Sequence, residues 1–300
     1  MVYKIEPWQY QERLEYPLDK KVELSLLKIK QFYEEMDGKV YVSFSGGKDS
    51  VVILHLVRSL YPDVVALFSD TGLEFPEIRE FVQRQDNIVT VRPRRSFREV
   101  IEKYGYPVVS KNISMAVSRY RNTKDPLQKR FRKTGIKPDG TKVRYGCVSK
   151  KWWYLLDAPF KISEQCCEFL KKYPFNKFNR ETGLRPYIGT KALDSQQRKL
   201  RYYMNGCNIF KEGKERSHPL MIWTDDDVWN YIKENKLEYC SIYDKGWDMT
   251  GCIYCMFGIQ RDGEPNRFQR LKETHPKLYD YCINNLGIKE VMEYMGLPYE

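Results

Sequence analysis

The stretch Ser43-Phe44-Ser45-Gly46-Gly47-Lys48-Asp49-Ser50 constrains the fold more than any other part of the chain. An apolar, β-like run over residues 40–44 enters it, and Val51, Val52, Leu54, Leu56 and Val57 leave it as an apolar helical run. A strand that turns through glycines into a helix leaves backbone N–H groups and a partial positive charge at one spot, which suits phosphate. The two glycines let the backbone approach an anion without a Cβ in the way. Lys48 adds a mobile cation, and the Ser45 and Ser50 hydroxyls are available as donors. This is not the ordinary ATP-binding P-loop, which needs Gly, four residues, then Gly-Lys and Ser or Thr. Here Asp49 follows Lys48, and Val42 stands where the first glycine is required.

Two further apolar runs, residues 64–68 and 88–91, each end in a polar turn and are separated by a helix-like segment over 77–85. Strand and helix alternating at this spacing predict an α/β fold with a doubly wound parallel sheet. Ligands of such sheets sit beyond the carboxyl ends of the strands. The segments 45–50, 69–76 and 92–95 all fall there. Residues 1–37 are expected to form a helical lead-in, 38–235 the nucleotide-binding α/β domain, and 236–300 a helical cap bearing the Cys-x-x-Cys pair. Residues 105–150 read as a mobile basic insertion within the α/β domain. The acidic run Asp225-Asp226-Asp227 after Thr224 reads as helix capping in preference to metal binding.

Charge is concentrated in one place. Between Lys111 and Arg144 eleven Lys and Arg face only Asp125 and Asp139, a local +9 out of the whole chain's net +11, so the rest of the chain is nearly balanced. Arg119, Arg121, Lys129, Arg130, Arg132 and Lys133, interleaved with Tyr120, Phe131 and Tyr145, suit a nucleic-acid backbone with occasional base stacking. A lid closing over nucleotide phosphates is the competing reading. No apolar run approaches the ~18 residues of a membrane span, and the N-terminal residues lack a signal-peptide core. A cytoplasmic protein is expected.

Eight cysteines in such a chain argue for metal, redox chemistry or simple burial over a disulfide framework. Cys252 and Cys255 form a C-x-x-C pair able to grip one ion or cluster edge, and 84 residues separate them from the adjacent Cys166 and Cys167. Zinc on the same four thiolates, unligated burial and a redox disulfide at 252/255 are the alternatives. Cys207, in a turn, stands as a substitute ligand for Cys166 or Cys167. Cys147, Cys240 and Cys282 lack a partner spacing.

Several strings together resemble the phosphoadenosine phosphosulfate (PAPS) reductase family of the PP-loop ATP pyrophosphatase superfamily. Ser45-Gly46-Gly47-Lys48-Asp49-Ser50 resembles its phosphate loop, and Asp70-Thr71-Gly72-Leu73-Glu74-Phe75-Pro76-Glu77 its segment after the second strand. Gly189 through Arg198, with Lys191 where arginine is usual, and Pro219 through Trp229 resemble two later runs. The resemblance implies an adenine nucleotide with its phosphates on 45–50 and Ser43 entering the loop. Its adenosine would lie near Asp70, Thr71, Gly72 and Glu74, with Gly189, Lys191 and Arg198 at the phosphate or sulfate end. Lys48, Asp49, Lys191 and Arg198 are the implied catalytic set, and Mg²⁺ would call on carboxylates such as Asp49.

The two cysteine pairs are similar to the layout of iron–sulfur adenylyl-sulfate reductases, which implies a [4Fe–4S] cluster on Cys166, Cys167, Cys252 and Cys255. The family's reductases carry their nucleophilic cysteine in a C-terminal tail, and this sequence has none after Cys282. The resemblance therefore implies an enzyme that cleaves ATP between the α- and β-phosphates, adenylates an acceptor and moves sulfur. A sulfonucleotide reductase using an external thiol and a non-catalytic nucleotide sensor are the alternatives. A sulfur-donor or reductant protein and a second copy of the chain are the implied partners.

Overall fold

The computed structural model describes residues 3–300. In chain order its strands are β1 (Val40–Ser43), β2 (Ala66–Ser69), β3 (Ile88–Val91), β4 (Val108–Val109), β5 (Arg185–Ile188), β6 (Asn208–Ile209), β7 (Arg216–Ser217) and β8 (Met256–Phe257). The residues divide into two compact units that interleave in sequence. The first takes the chain up to Asp70, Glu74–Val91 and Phe175–Thr250; the second takes Thr71–Leu73, Arg92–Pro174 and Gly251–Glu300. This division runs along different lines from the consecutive 38–235 and 236–300 segments. Among the described residues no helix is long and apolar enough to cross a membrane.

The first unit is built on a sheet of order β3-β2-β1-β5-β7-β6, parallel except for the antiparallel β6–β7 pair. It is the α/β doubly wound arrangement expected from the alternation of runs. Ser43, the last residue of β1, pairs with Leu67 on one side and Ile188 on the other. The chain moves outward from β1 to β2 and β3, then returns to the opposite flank as β5. The crevice beyond the ends of β1 and β5 is therefore the topological switch point, where open sheets of this kind bind ligands.

Helix Lys48–Leu60 leaves β1 and buries Val51, Val52, Ile53, Leu54, Leu56 and Val57. So nearly continuous an apolar surface is needed because helices Leu18–Glu35 and Asp225–Glu234 also pack on it. The lead-in is two helices, Pro7–Leu14 and Leu18–Glu35. It is docked by the buried Ile29 and Phe32, and the Tyr187 hydroxyl donates to the Ile29 carbonyl at 2.8 Å.

In the second unit, residues 105–150 depart from the expected mobile insertion. They carry β4, which pairs in parallel with β8, and the helices Lys111–Asn122 and Pro126–Thr134. Ser110 caps the first of these, accepting from the Ile113 amide at 3.2 Å, and Ile113, Ala116 and Val117 are buried. That stripe is short and has lysine and arginine around it, so periodicity alone misses it. The second helix begins at Pro126 behind an Asp125 cap and stops at the left-handed Gly135, the usual asymmetry of helix ends.

Candidate functional site

The phosphate loop is held by its own serines. Ser50 Oγ donates to the Gly47 carbonyl at 2.7 Å and accepts from the Ser45 amide at 3.2 Å. Ser45 Oγ, 3.2 Å from Ser50 Oγ, accepts from the Gly47 amide at 3.4 Å. Both hydroxyls thus shape the loop, a use that the expectation of outward donors overlooked. Gly46 sits at φ +73°, where a side chain would be strained. Gly47 answers to a different constraint: a Cβ there would stand 2.4 Å from Thr250 Oγ1.

Gly189 lets the turn after β5 reach the same place, since a Cβ on it would lie 2.6 Å from the Asp49 carbonyl oxygen. That approach brings Lys191, only 2 % exposed, onto the first turn of the helix. Its ammonium pairs with the Asp49 carboxylate and, at 2.9 Å, with Asp225 Oδ1. The same Asp225 oxygen is 3.1 Å from Lys48 Nζ. Asp194 lies 3.7 Å from Lys191 and pairs with Arg198. Three cations are thus matched by three carboxylates, and Arg198 is committed to Asp194 at the exposed edge of the group. Burial disfavours the charged lysine, but Asp49, Asp225 and Asp194 outweigh it and raise the Lys191 pKa. For Asp225, burial acts upward and the two lysines prevail, lowering its pKa.

Asp225 is the residue that sequence reasoning missed. Of the acidic run, Asp227 caps the helix in a reciprocal pair with Thr224 and binds Lys21 at 2.7 Å, whereas Asp225 faces the lysines. Neighbouring acids on a helix start point in different directions, so the run TDDD could not by itself say which one caps. Among the described residues no three or more His, Cys, Asp or Glu side chains are gathered so as to hold a metal ion.

His218 Nδ1 lies 2.7 Å from Thr190 Oγ1. Burial, with Arg216, Arg198 and Arg201 nearby, pushes its pKa down to about 3, so it is neutral near pH 7 and orients Thr190 without offering charge. Asp70 pairs with Arg79 at 3.1 Å, and Glu74 follows in the same unit. Thr71 and Gly72 belong to the second unit, where Thr71 Oγ1 accepts from the Leu73 amide at 3.2 Å.

In the second unit Cys166, Cys167, Cys252 and Cys255 line one hollow together with Leu73, Phe97, Pro107 and Leu170. The Leu73 carbonyl accepts from the Ile253 amide at 2.9 Å, which ties the 71–73 turn to the Cys-x-x-Cys loop. Cys166 and Cys167 share a hydrogen bond that raises the Cys166 pKa and lowers that of Cys167, with Lys111 and Lys171 adding to the latter. Burial pushes the Cys255 thiol up to about 11. Cys207 belongs to the first unit, where burial likewise raises its pKa to about 11. Four thiols thus line one hollow, with two lysines beside Cys167.

The basic segment divides by role. Arg121 donates to the Phe160 and Ala158 carbonyls at 2.6 and 2.5 Å, and Arg132 donates to the Gly146 carbonyl at 2.8 Å. Both side chains are thus tied to backbone carbonyls. Arg119, Lys129 and Arg130 are exposed, and Lys133 lies over the Trp153 ring at 5.0 Å. Among the described residues no ion pair involves a lysine or arginine between 111 and 151. The two acids are used elsewhere: Asp125 accepts from the Leu127 amide and Asp139 from the Thr141 amide.

The lysine–aspartate group makes stability pH-dependent at both ends. The lowered Asp225 pKa contributes stability above the ordinary aspartate value of about 3.9, lost as pH falls through the lowered one. The raised Lys191 pKa contributes below the ordinary lysine value of about 10.4, lost as pH rises through the raised one. Urea unfolding of the Asp225→Asn protein between pH 3 and 11 is expected to show a flatter profile at both limits than the parent. Superimposable profiles would remove Asp225 from the network.

The family profile described as the phosphoadenosine phosphosulfate reductase domain matches residues 39–136 and 119–257. An uncharacterized protein of Methanocaldococcus jannaschii is 29% identical over 277 residues, covering 90% of this chain and 53% of its own length. A second from that organism is 28% identical, with 43% of its length covered. The chain thus spans about half the length of these two relatives. An adenosine 5'-phosphosulfate reductase of Geobacillus kaustophilus is 26% identical, covering 83% of this chain and 86% of its own. Among solved structures, a PAPS reductase from Candida auris in complex with phosphate aligns at TM-score 0.46 with 18% identity, covering 84% of this chain and 98% of that one. The U34-tRNA thiolase NcsA from Methanococcus maripaludis, with its [4Fe–4S] cluster, aligns at 0.36 with 16% identity, covering 89% and 80%. With the family profile spanning most of the residues between β1 and β8, and the glycine–lysine loop at the switch point of its sheet, this chain belongs to the PAPS reductase family of PP-loop proteins.

Proposed function

We propose that the chain binds ATP with its phosphates on residues 45–50 and uses it to adenylate an acceptor that then receives sulfur. The observation that carries this reading is the convergence of Lys48 and Lys191 on one carboxylate at the switch point. Asp225 is the anion that now lies between these two buried ammonium groups, and a nucleotide's phosphates, the anion this fold class takes at that place, would meet both cations on replacing it. The acceptor's oxygen attacks the α-phosphorus, pyrophosphate leaves, and a sulfur nucleophile later expels AMP from the activated acceptor. Lys48 and Lys191 stabilise charge on the departing pyrophosphate. Asp49, released from Lys191, is available to a Mg²⁺ that arrives with the nucleotide.

The four cysteines of the second unit would hold a [4Fe–4S] cluster, which supplies a redox-active, sulfur-binding centre. Zinc on the same four thiolates is the alternative. The acceptor on this reading is nucleic acid, supported by the absence of any ion pair to the basic residues of 111–151 among the described residues. A sulfonucleotide reductase using an external thiol is the second reading, favoured by the coverage of the Geobacillus reductase. A sensor without turnover is the third.

Exchange of labelled pyrophosphate into ATP, abolished in Lys48→Ala, is the expected result. Sulfite release from adenylyl sulfate with added thiol, and no exchange, would establish the reductase instead; nucleotide binding with neither product would leave the sensor. Protein purified without oxygen is expected to be brown, absorbing near 400 nm with about four irons per chain, and to lose iron in Cys252→Ser. A colourless protein with one zinc per chain would reverse that assignment. Replacing Lys129, Arg130 and Lys133 by alanine is expected to weaken single-stranded nucleic-acid binding and flatten its dependence on salt. Equal slopes in both proteins would return the segment to a solvated surface.

A further inference from the structure

Residues 239–250 carry no motif, yet they reach the phosphate loop within the first unit. Trp229, Tyr239 and Tyr243 meet edge-on, with ring centroids 5.2 and 5.1 Å from Trp229. The buried Ile242 anchors the segment, and Lys245 pairs with Glu77. From this support the Tyr243 hydroxyl accepts the Lys48 amide at 2.8 Å and shares a hydrogen bond with the Thr250 side chain. Thr250 Oγ1 is the atom that leaves no room for a Cβ on Gly47.

The Lys48 amide is among the N–H groups that a helix start leaves without an internal partner. It is the kind of donor that a phosphate oxygen takes in a strand–glycine–helix turn. In the nucleotide-free protein that donor is already used by a phenol, and the Lys48 side chain by Asp225. A phosphate oxygen is charged and forms the stronger bond, while a phenol pressed onto the loop excludes it sterically.

We propose that Tyr243 is the internal occupant of the phosphate cradle and that nucleotide binds by displacing residues 239–250 from the loop. This rests on reading 45–50 as the nucleotide site. Its consequence is quantitative: the apparent affinity is reduced by the fraction of molecules in which the cradle is closed. Tyr243 is a gating residue here, acting on the Lys48 amide, and not a catalytic one.

The test compares the full chain with Tyr243→Phe, which keeps the ring against Trp229 and removes only the oxygen. Binding of ATP and of inorganic pyrophosphate is measured by calorimetry, and exchange of the amides of 45–50 by mass spectrometry. Tyr243→Phe is expected to bind ATP roughly two- to tenfold more tightly, the range of one net hydrogen bond, and to exchange faster at the loop without ligand. Unchanged or weaker ATP binding in the variant overturns the proposal, because loss of a merely structural contact would not raise affinity. Pyrophosphate bound more tightly by the variant, with ATP bound by neither protein, would uphold the plug and reject the nucleotide reading. Failure of both ligands with both proteins would reject the two together.

Discussion

Parallel pairing of β1 with β5, Ser43 opposite Ile188, is the constraint on which the first unit's chemistry depends. It sets two turns from distant parts of the sequence side by side at the sheet's switch point. Gly189 then lets the second turn press on the Asp49 backbone, and Lys191 is carried into contact with Asp49 and Asp225. A side chain at 189 would push these turns apart and separate the two lysines. The sheet supplies the site; the loop residues only furnish it.

The resulting group is self-neutralising. Buried ammonium groups need counter-charge, and Asp49, Asp194 and Asp225 supply it. A polyphosphate entering such a site exchanges partners; it does not fill an open positive hole. The basic face of the second unit follows the opposite logic. There, among the described residues, lysines and arginines accumulate without ion pairs.

The strand–turn–helix at 40–60, the parallel sheet and the loop's anion chemistry were legible in the chain because local patterns encode them. Period-two and apolar runs mark strands, glycines mark the turn, and residues 45–50 carry all of it within one short string. The cysteine pairs were equally visible, being adjacent or two apart. The helices at 111–134 were not, since their buried stripe is short and has charged residues around it, and their caps, Ser110 and Asp125, look like ordinary loop residues.

What only the tertiary structure decided is which polar groups meet. Asp225 lies 34 residues from Lys191, and Tyr243 lies 195 residues from Lys48; no local spacing relates either pair. Arg121 and Arg132 read as surface charge until their backbone acceptors come into view, and Ser50 reads as a ligand donor until its bond to Gly47 does. Sequence by itself determined the elements and the kind of chemistry at the loop, because those depend on neighbours along the chain. Which side chains the loop keeps for itself, and which it offers, depends on long-range packing and was settled only by the fold.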